Sequence, residues 1–194
     1  TITCVTPAHA AGSVNIVVTN SVGQGTISNG FSYIVTPAPS SANPLVGVTS
    51  GGTSVTISGS GFTGATGVTF GGTAATSVTV VNDTTITCVT PAHAAGSVNI
   101  VVTNSVGSGT ITNGFTYYST PTFISITPNT GVSVGLVPVT IVGSGFTGAT
   151  SVTFGGNAAT VVVVVSGTTI TCVTPAHSIG FVNVVVSNPA TSGT

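Results

Sequence analysis

Lys, Arg, Met and Trp are missing from this 194-residue chain, and Asp83 is its one acid. Each absence excludes something. Nucleic-acid binding takes most of its affinity from cations that neutralise phosphates, so a nucleic-acid partner is excluded. The same lack removes a basic route to anionic membranes. Paired carboxylates, a Lys nucleophile and an Arg clamp are all unavailable for catalysis. No apolar run reaches the roughly 18 residues of a spanning helix, so direct membrane insertion of this segment is not expected. No signal peptide is legible.

What is present is Thr, Val and Gly, at 38, 34 and 27 residues, together just over half of the chain. Val and Thr are stiff at χ1 and suit pleated strands, and 41% hydrophobic residues can build a core that a disordered chain could not. Gly and Pro punctuate the sequence at strand-length intervals, the pattern of an all-β sandwich or barrel.

The sequence repeats with a period of 84 residues. Thr1 to His9 recurs at Thr85 to His93 and at Thr169 to His177, which places Cys4, Cys88 and Cys172 in register. Residues 1–26 and 85–110 differ only at Gln24 against Ser108. A unit of this size suits a small sandwich domain with its own core better than a solenoid turn. The reading is therefore three pieces: 1–36 as the C-terminal part of a first repeat, 37–120 as a complete repeat, and 121–194 as a third repeat lacking its last strand. The chain reads as a fragment of a longer repetitive protein, with strand addition from neighbouring chains as the alternative.

Period-2 alternation in the complete repeat puts Thr, Ser and Asn outside and Val55, Ile57, Phe62, Val68, Phe70, Val78, Val80, Ile86, Cys88, Val98, Ile100, Val102 and Phe115 inside. Seven strands are expected, with Gly71-Gly72 as a tight hairpin turn.

The ordered motifs Pro121-Thr-Phe-Ile-Ser-Ile-Thr-Pro128, Val139-Thr-Ile-Val-Gly-Ser-Gly-Phe146, Val152-Thr-Phe-Gly-Gly156, Ile170-Thr-Cys-Val-Thr-Pro-Ala176, Gly180-Phe-Val-Asn-Val-Val-Val-Ser-Asn188 and Phe115-Thr-Tyr117 resemble those of the immunoglobulin-like IPT/TIG domain. The resemblance covers the whole chain and implies tandem E-set-type β-sandwiches. Domains resembling these occur in cell-surface receptors, in bacterial surface proteins, beside carbohydrate-active enzyme domains and in transcription factors, the last of which grip DNA with Arg and Lys that this chain lacks; the expected setting is extracellular or surface-exposed, on a cell or a virion. One departure stands out: Ala38-Pro-Ser-Ser-Ala-Asn-Pro44 lacks the Ile pair of the first strand, so this edge is expected to be weakly paired or peeled.

The reactive side chains offer little chemistry. One Cys per repeat has no partner in its own domain, so Cys88 reads as a buried free thiol. One His per repeat with no carboxylate nearby gives no metal site, and His9, His93 and His177 read as loop residues bonding backbone groups. No charged group orients any His toward a Ser or Thr, so no catalytic constellation and no cofactor site is visible and an enzyme is not expected. Asp83 reads as a turn residue, and Asn82-Asp-Thr84 is a sequon that makes Asn82 a candidate for N-glycosylation.

Two function classes follow. The first is a structural segment of a long extracellular fibre, stalk or filament that self-associates, since a nearly uncharged chain lacks the repulsion that keeps proteins apart. The second is an adhesin or carbohydrate-binding surface array, for which Tyr117 and Tyr118 at the domain junction are the candidate aromatics, domain packing being their alternative role. Between near-copies, the differences mark a candidate contact surface. The outward Ser77, Thr79 and Val81 become Val161, Val163 and Val165, while Ala95 and Ser97 become Ile179 and Phe181. Both segments are expected on one sheet, forming one apolar face that packs on a neighbouring domain or chain.

Overall fold

The computed structural model describes residues 1–190 and 192–193. Among the described residues every regular element is a strand. The strands β1 (Gly12–Thr19) and β2 (Gln24–Tyr33) pair antiparallel as a hairpin. Next come β3 (Ala38–Asn43), β4 (Val46–Val48), β5 (Ser54–Ser60), β6 (Ala65–Phe70), β7 (Thr73–Ala74), β8 (Thr76–Asn82), β9 (Thr85–Val89), β10 (Gly96–Asn104) and β11 (Ser108–Tyr118). They form two sheets, ordered β3-β5-β9-β8 and β4-β11-β10-β6-β7. The chain continues through β12 (Thr122–Thr127), β13 (Pro138–Ser144), β14 (Ser151–Phe154), β15 (Asn157–Ala158), β16 (Thr160–Ser166), β17 (Thr169–Val173), β18 (Val184–Ser187) and β19 (Ser192–Gly193). Their sheets, β12-β13-β17-β16 and β15-β14-β18-β19, repeat the same strand order one period later, except that β4 has no counterpart among the described residues.

Alternation dictates the core. On β5 and β9 the buried positions are Val55, Ile57, Ile86 and Cys88, every second residue, and they face Val68, Phe70, Ile100 and Phe115 of the other sheet. Phe62 and its counterpart Phe146 are fully buried. Burying each such ring stabilises its domain by about 1.5–3 kcal/mol. Of the expected core, Val78 and Val80 are only partly buried, because β8 lies at a sheet edge.

Three details differ from the sequence reading. The middle repeat has nine strands rather than seven: β7 is a short addition after the Gly71-Gly72 turn, and the first strand is divided at Pro44. The divided strand is also not peeled. Its first half pairs with β5 from Ala38↔Ser60 to Asn43↔Thr56, and Pro39 sits beside the register shift that precedes Ser41. The small Ala42, opposite Ile57, is buried where the third repeat has Ile126. Its second half, β4, crosses to the other sheet and pairs in parallel with β11 at Val46↔Thr116, Gly47↔Tyr117 and Val48↔Tyr118.

Candidate functional site

The two places where one repeat meets the next are built alike. At the first, Asn104 at the end of β10 is 5% exposed and its Nδ2 donates to the Val35 carbonyl at 2.7 Å. Its Oδ1 accepts from the backbone N–H groups of Val106 (2.9 Å) and Gly107 (3.1 Å), closing the turn into β11. At the second, 84 residues on, Asn188 Nδ2 donates to the Ser119 carbonyl at 2.8 Å, and its Oδ1 accepts from Ala190 N–H at 3.0 Å. Each linker is thus tied by the domain that follows it.

Apolar contacts repeat with the bonds. Ile34 lies against Gly64 at the first junction, and Tyr118 lies against Gly148 at the second. A Cβ at Gly148 would clash with Tyr118 Cε1, and the residue has φ +74°, so two independent constraints require glycine there. Tyr118 therefore packs across the junction against Gly148.

Tyr117 is different and corrects the expectation of an accessible junction residue. It is 1% exposed, its hydroxyl donates to the Pro91 carbonyl at 3.0 Å, and its ring stacks on His93 at 5.2 Å between centroids. Burial raises its pKa above the ordinary phenol value. His93 Nδ1 lies 2.9 Å from the Ala94 carbonyl, and a carbonyl can only accept, so Nδ1 carries a proton. His9 repeats this, with Ala10 and the ring of Tyr33, and His177 bonds the Ser178 carbonyl. The histidines are loop residues bonding backbone, as expected, and His9 and His93 also cover a Tyr. Among the described residues no three His, Cys, Asp or Glu side chains gather as metal ligands.

Asp83 does not bond its own turn. It reaches across to another, accepting from Thr63 Oγ1 (2.7 Å), Thr63 N–H (3.1 Å) and Gly61 N–H (3.2 Å), and these bonds, the Thr63 hydroxyl first, lower its pKa. Its neighbour Asn82 does close the local turn, accepting from Thr84 N–H and Oγ1, both at 2.9 Å, and it is solvent-exposed. Cys88 and Cys172 are buried free thiols whose pKa is pushed up to about 11 by desolvation, whereas Cys4 is exposed.

The candidate contact residues Val161, Val163, Val165, Ile179 and Phe181 all face outward, with Phe181 fully exposed. They do not share a sheet. Val161, Val163 and Val165 lie on β16, at the edge beyond β17, while Ile179 and Phe181 precede β18 in the opposite sheet. The single face expected from the sequence is two separate patches. Val161 is also held at φ +49°, a left-handed conformation that a β-branched residue rarely adopts; Ser77 holds the same place in the middle repeat.

In the middle repeat Phe115 and Tyr117 of β11 cover Phe70 and His93.

The model of the IPT/TIG domain family matches residues 37–118 and again 121–194. The chain belongs to this family, as a tandem array of immunoglobulin-like β-sandwiches. No curated protein matches it. Among solved structures it is similar to the extracellular region of plexin A4, at 24% identity and a TM-score of 0.42 over 90% of this chain and 16% of that one. It is also similar to SGBP-B from a xyloglucan utilization locus in Bacteroides uniformis (19% identity, TM-score 0.36, 81% of this chain and 48% of that one). A third is the surface glycan-binding protein PbSGBP-B from Prevotella bryantii (16%, TM-score 0.38, 95% and 42%). The chain spans less than half the length of each, and likeness at this level extends to the fold alone.

Proposed function

We propose that this chain is a structural segment of an extracellular or surface-anchored stalk, fibre or filament, in which successive IPT/TIG repeats act as spacers. The repeats are divided as 1–36, 37–120 and 121–194. The observation that carries this reading is the repeated junction: the same Asn, 84 residues apart, ties the linker carbonyl that precedes its own domain. A junction that recurs with the same bonds passes the same step from one repeat to the next, which yields a regular rod rather than a flexible string. No catalytic role belongs to this reading. The apolar patches at Val161, Val163 and Val165 and at Ile179 and Phe181 would serve lateral self-association of such rods. Small-angle scattering on chains of two, four and six repeats tests the proposal. The maximum dimension should grow linearly with repeat number; growth as the square root would show flexible linkers and refute it.

A second reading is a carbohydrate-binding surface array. The observation that favours it is the outward-facing Phe181 ring, at the position where the complete middle repeat presents the exposed Ser97. Glycan-array binding that Phe181→Ala abolishes would establish it.

A further inference from the structure

We infer that the complete repeat is built to bear tension along the chain, and that the parallel β4–β11 pair is the element that bears it. The inference rests on the array reading, since only a chain held at both ends carries tension.

The topology supplies the argument. The chain enters the domain through Pro37 and leaves it after Tyr118. Of the strands at these two ends, β3 hydrogen-bonds within its sheet only to the interior strand β5, whereas β4 bonds directly to the last strand, β11. Because β4 and β11 run parallel, opposite pulls at the two linkers draw β4 toward its N-terminus and β11 toward its C-terminus. The strands must slide past one another. Their ladder bonds lie across the direction of pull and share the load, rather than opening one after another as in a hairpin peeled from its open end. The bond from Thr116 N–H to the Leu45 carbonyl (2.9 Å) and that from Thr49 N–H to the Tyr118 carbonyl (3.0 Å) bracket the pair.

Side chains lock the same place. Gly47 lies so close to the core that an added Cβ would meet Phe115 Cζ at 2.7 Å, which seats β4 flat on the last strand's own core residue. Opposite Gly47 in the ladder stands Tyr117, buried, bonded to Pro91 and stacked on His93. Sliding β11 by one residue drags that ring from its socket. Outside the pair, Asn104 ties the entering linker at Val35, so the pull reaches the domain at a fixed point.

Force-clamp measurements on the full chain test this in two geometries. In one, handles at the chain ends load β4 against β11 in shear. In the other, handles at Ala95 and Ser119 pull apart the adjacent ends of β10 and β11 and peel the sheet. At equal force the middle repeat should rupture about a hundredfold more slowly in the first geometry, and equal rates would overturn the inference, because rupture under force follows the barrier along the pulled direction. Thr49→Pro, which deletes one bracketing donor, should speed end-pulled rupture about tenfold. Val55→Ala, a core truncation on β5 that leaves every β4–β11 ladder bond in place, should lower denaturant stability at least as much while changing end-pulled rupture less than the proline does; the reverse order would also overturn it. Should Thr49→Pro not fold, the two geometries on the unaltered chain still decide. Isotropic strength in linearly growing rods would sink the clamp and leave the array; flexible multi-repeat chains with anisotropic domains would do the opposite.

Discussion

Asn104→Asp is the sharpest perturbation of the junction. The substitution is nearly isosteric. A carboxylate still accepts from Val106 and Gly107 N–H, so the local turn survives. It cannot donate to the Val35 carbonyl, and it places a negative oxygen where a donor stood 2.7 Å away. Losing the bond costs about 1 kcal/mol, and leaving a buried polar pair unsatisfied adds about 1–3 kcal/mol, so the middle repeat should lose roughly 2–4 kcal/mol at pH 7. Protonation reverses this, because a neutral carboxyl can donate its O–H to Val35. The folded state therefore favours the protonated form and raises the introduced group's pKa above its unfolded value of about 3.9. Linkage then gives the sign: the deficit is nearly absent below that value, grows as pH rises through the window between unfolded and folded pKa, and is constant above it. Urea titrations of the parent chain and the variant at pH 3 and pH 7, followed by circular dichroism, measure the difference, and Asn188→Asp repeats the test at the second junction. A deficit of the same size at both pH values, or none at pH 7, would refute the donor role given to Asn104.

Four further outcomes are expected. Tyr117→Phe removes the hydroxyl bonded to Pro91 and should cost about 1 kcal/mol in urea denaturation. Val161→Gly relieves a left-handed β-branched residue and should stabilise the third repeat by about 1 kcal/mol, offset in part by the entropy of glycine, unless chains already cover that valine; thermal melts at low and high protein concentration separate the two cases. Folded chain treated with iodoacetamide should be alkylated at Cys4 alone, with Cys88 and Cys172 reacting only after unfolding, as peptide mass spectrometry would show. The carboxylate of Asp83 is favoured by folding, so its contribution is full above its unfolded pKa and fades as pH falls through the lower folded value; Asp83→Asn should remove about 0.5–1 kcal/mol at pH 7 and progressively less as pH falls below the unfolded value, as urea titrations at stepped pH would show.

Much of this architecture is legible in the sequence because it depends on local rules. The 84-residue register, the strand faces and the buried free thiols follow from repetition and alternation. Tyr117 was legible too: it has the same parity as Phe115, so alternation alone puts it inside, and only its pairing with Tyr118 suggested a shared junction role. Other features depend on partners distant in sequence. Asn104 looks like an ordinary turn residue, which its Oδ1 is, while its Nδ2 acts on a carbonyl 69 residues away. The left-handed Val161 arises where β16 shifts register against β17 between Thr160 and Val163, and no property of the valine announces that irregularity. The sheet assignment of Phe181 depends on β17 and β18 belonging to opposite layers, a fact of topology rather than of pattern.

The absence of charge that opens the sequence also explains how the junctions are made. Tandem domains can be fixed to one another by ion pairs, by apolar contact or by neutral hydrogen bonds. Ion pairs are unavailable in a chain without Lys or Arg. Both junctions instead use an amide on a carbonyl beside an aliphatic or aromatic contact, and Asp83, the one acid, holds a turn inside a repeat rather than a linker. Salt screens charges over about 8–10 Å at physiological strength but leaves neutral hydrogen bonds and buried apolar contacts largely untouched. Tandem domains joined this way keep their junctions across changes of ionic strength that would loosen ion-paired ones. The same neutrality means that the exposed valines of the β16 edge and the outward Phe181 carry no like charge beside them to keep copies apart.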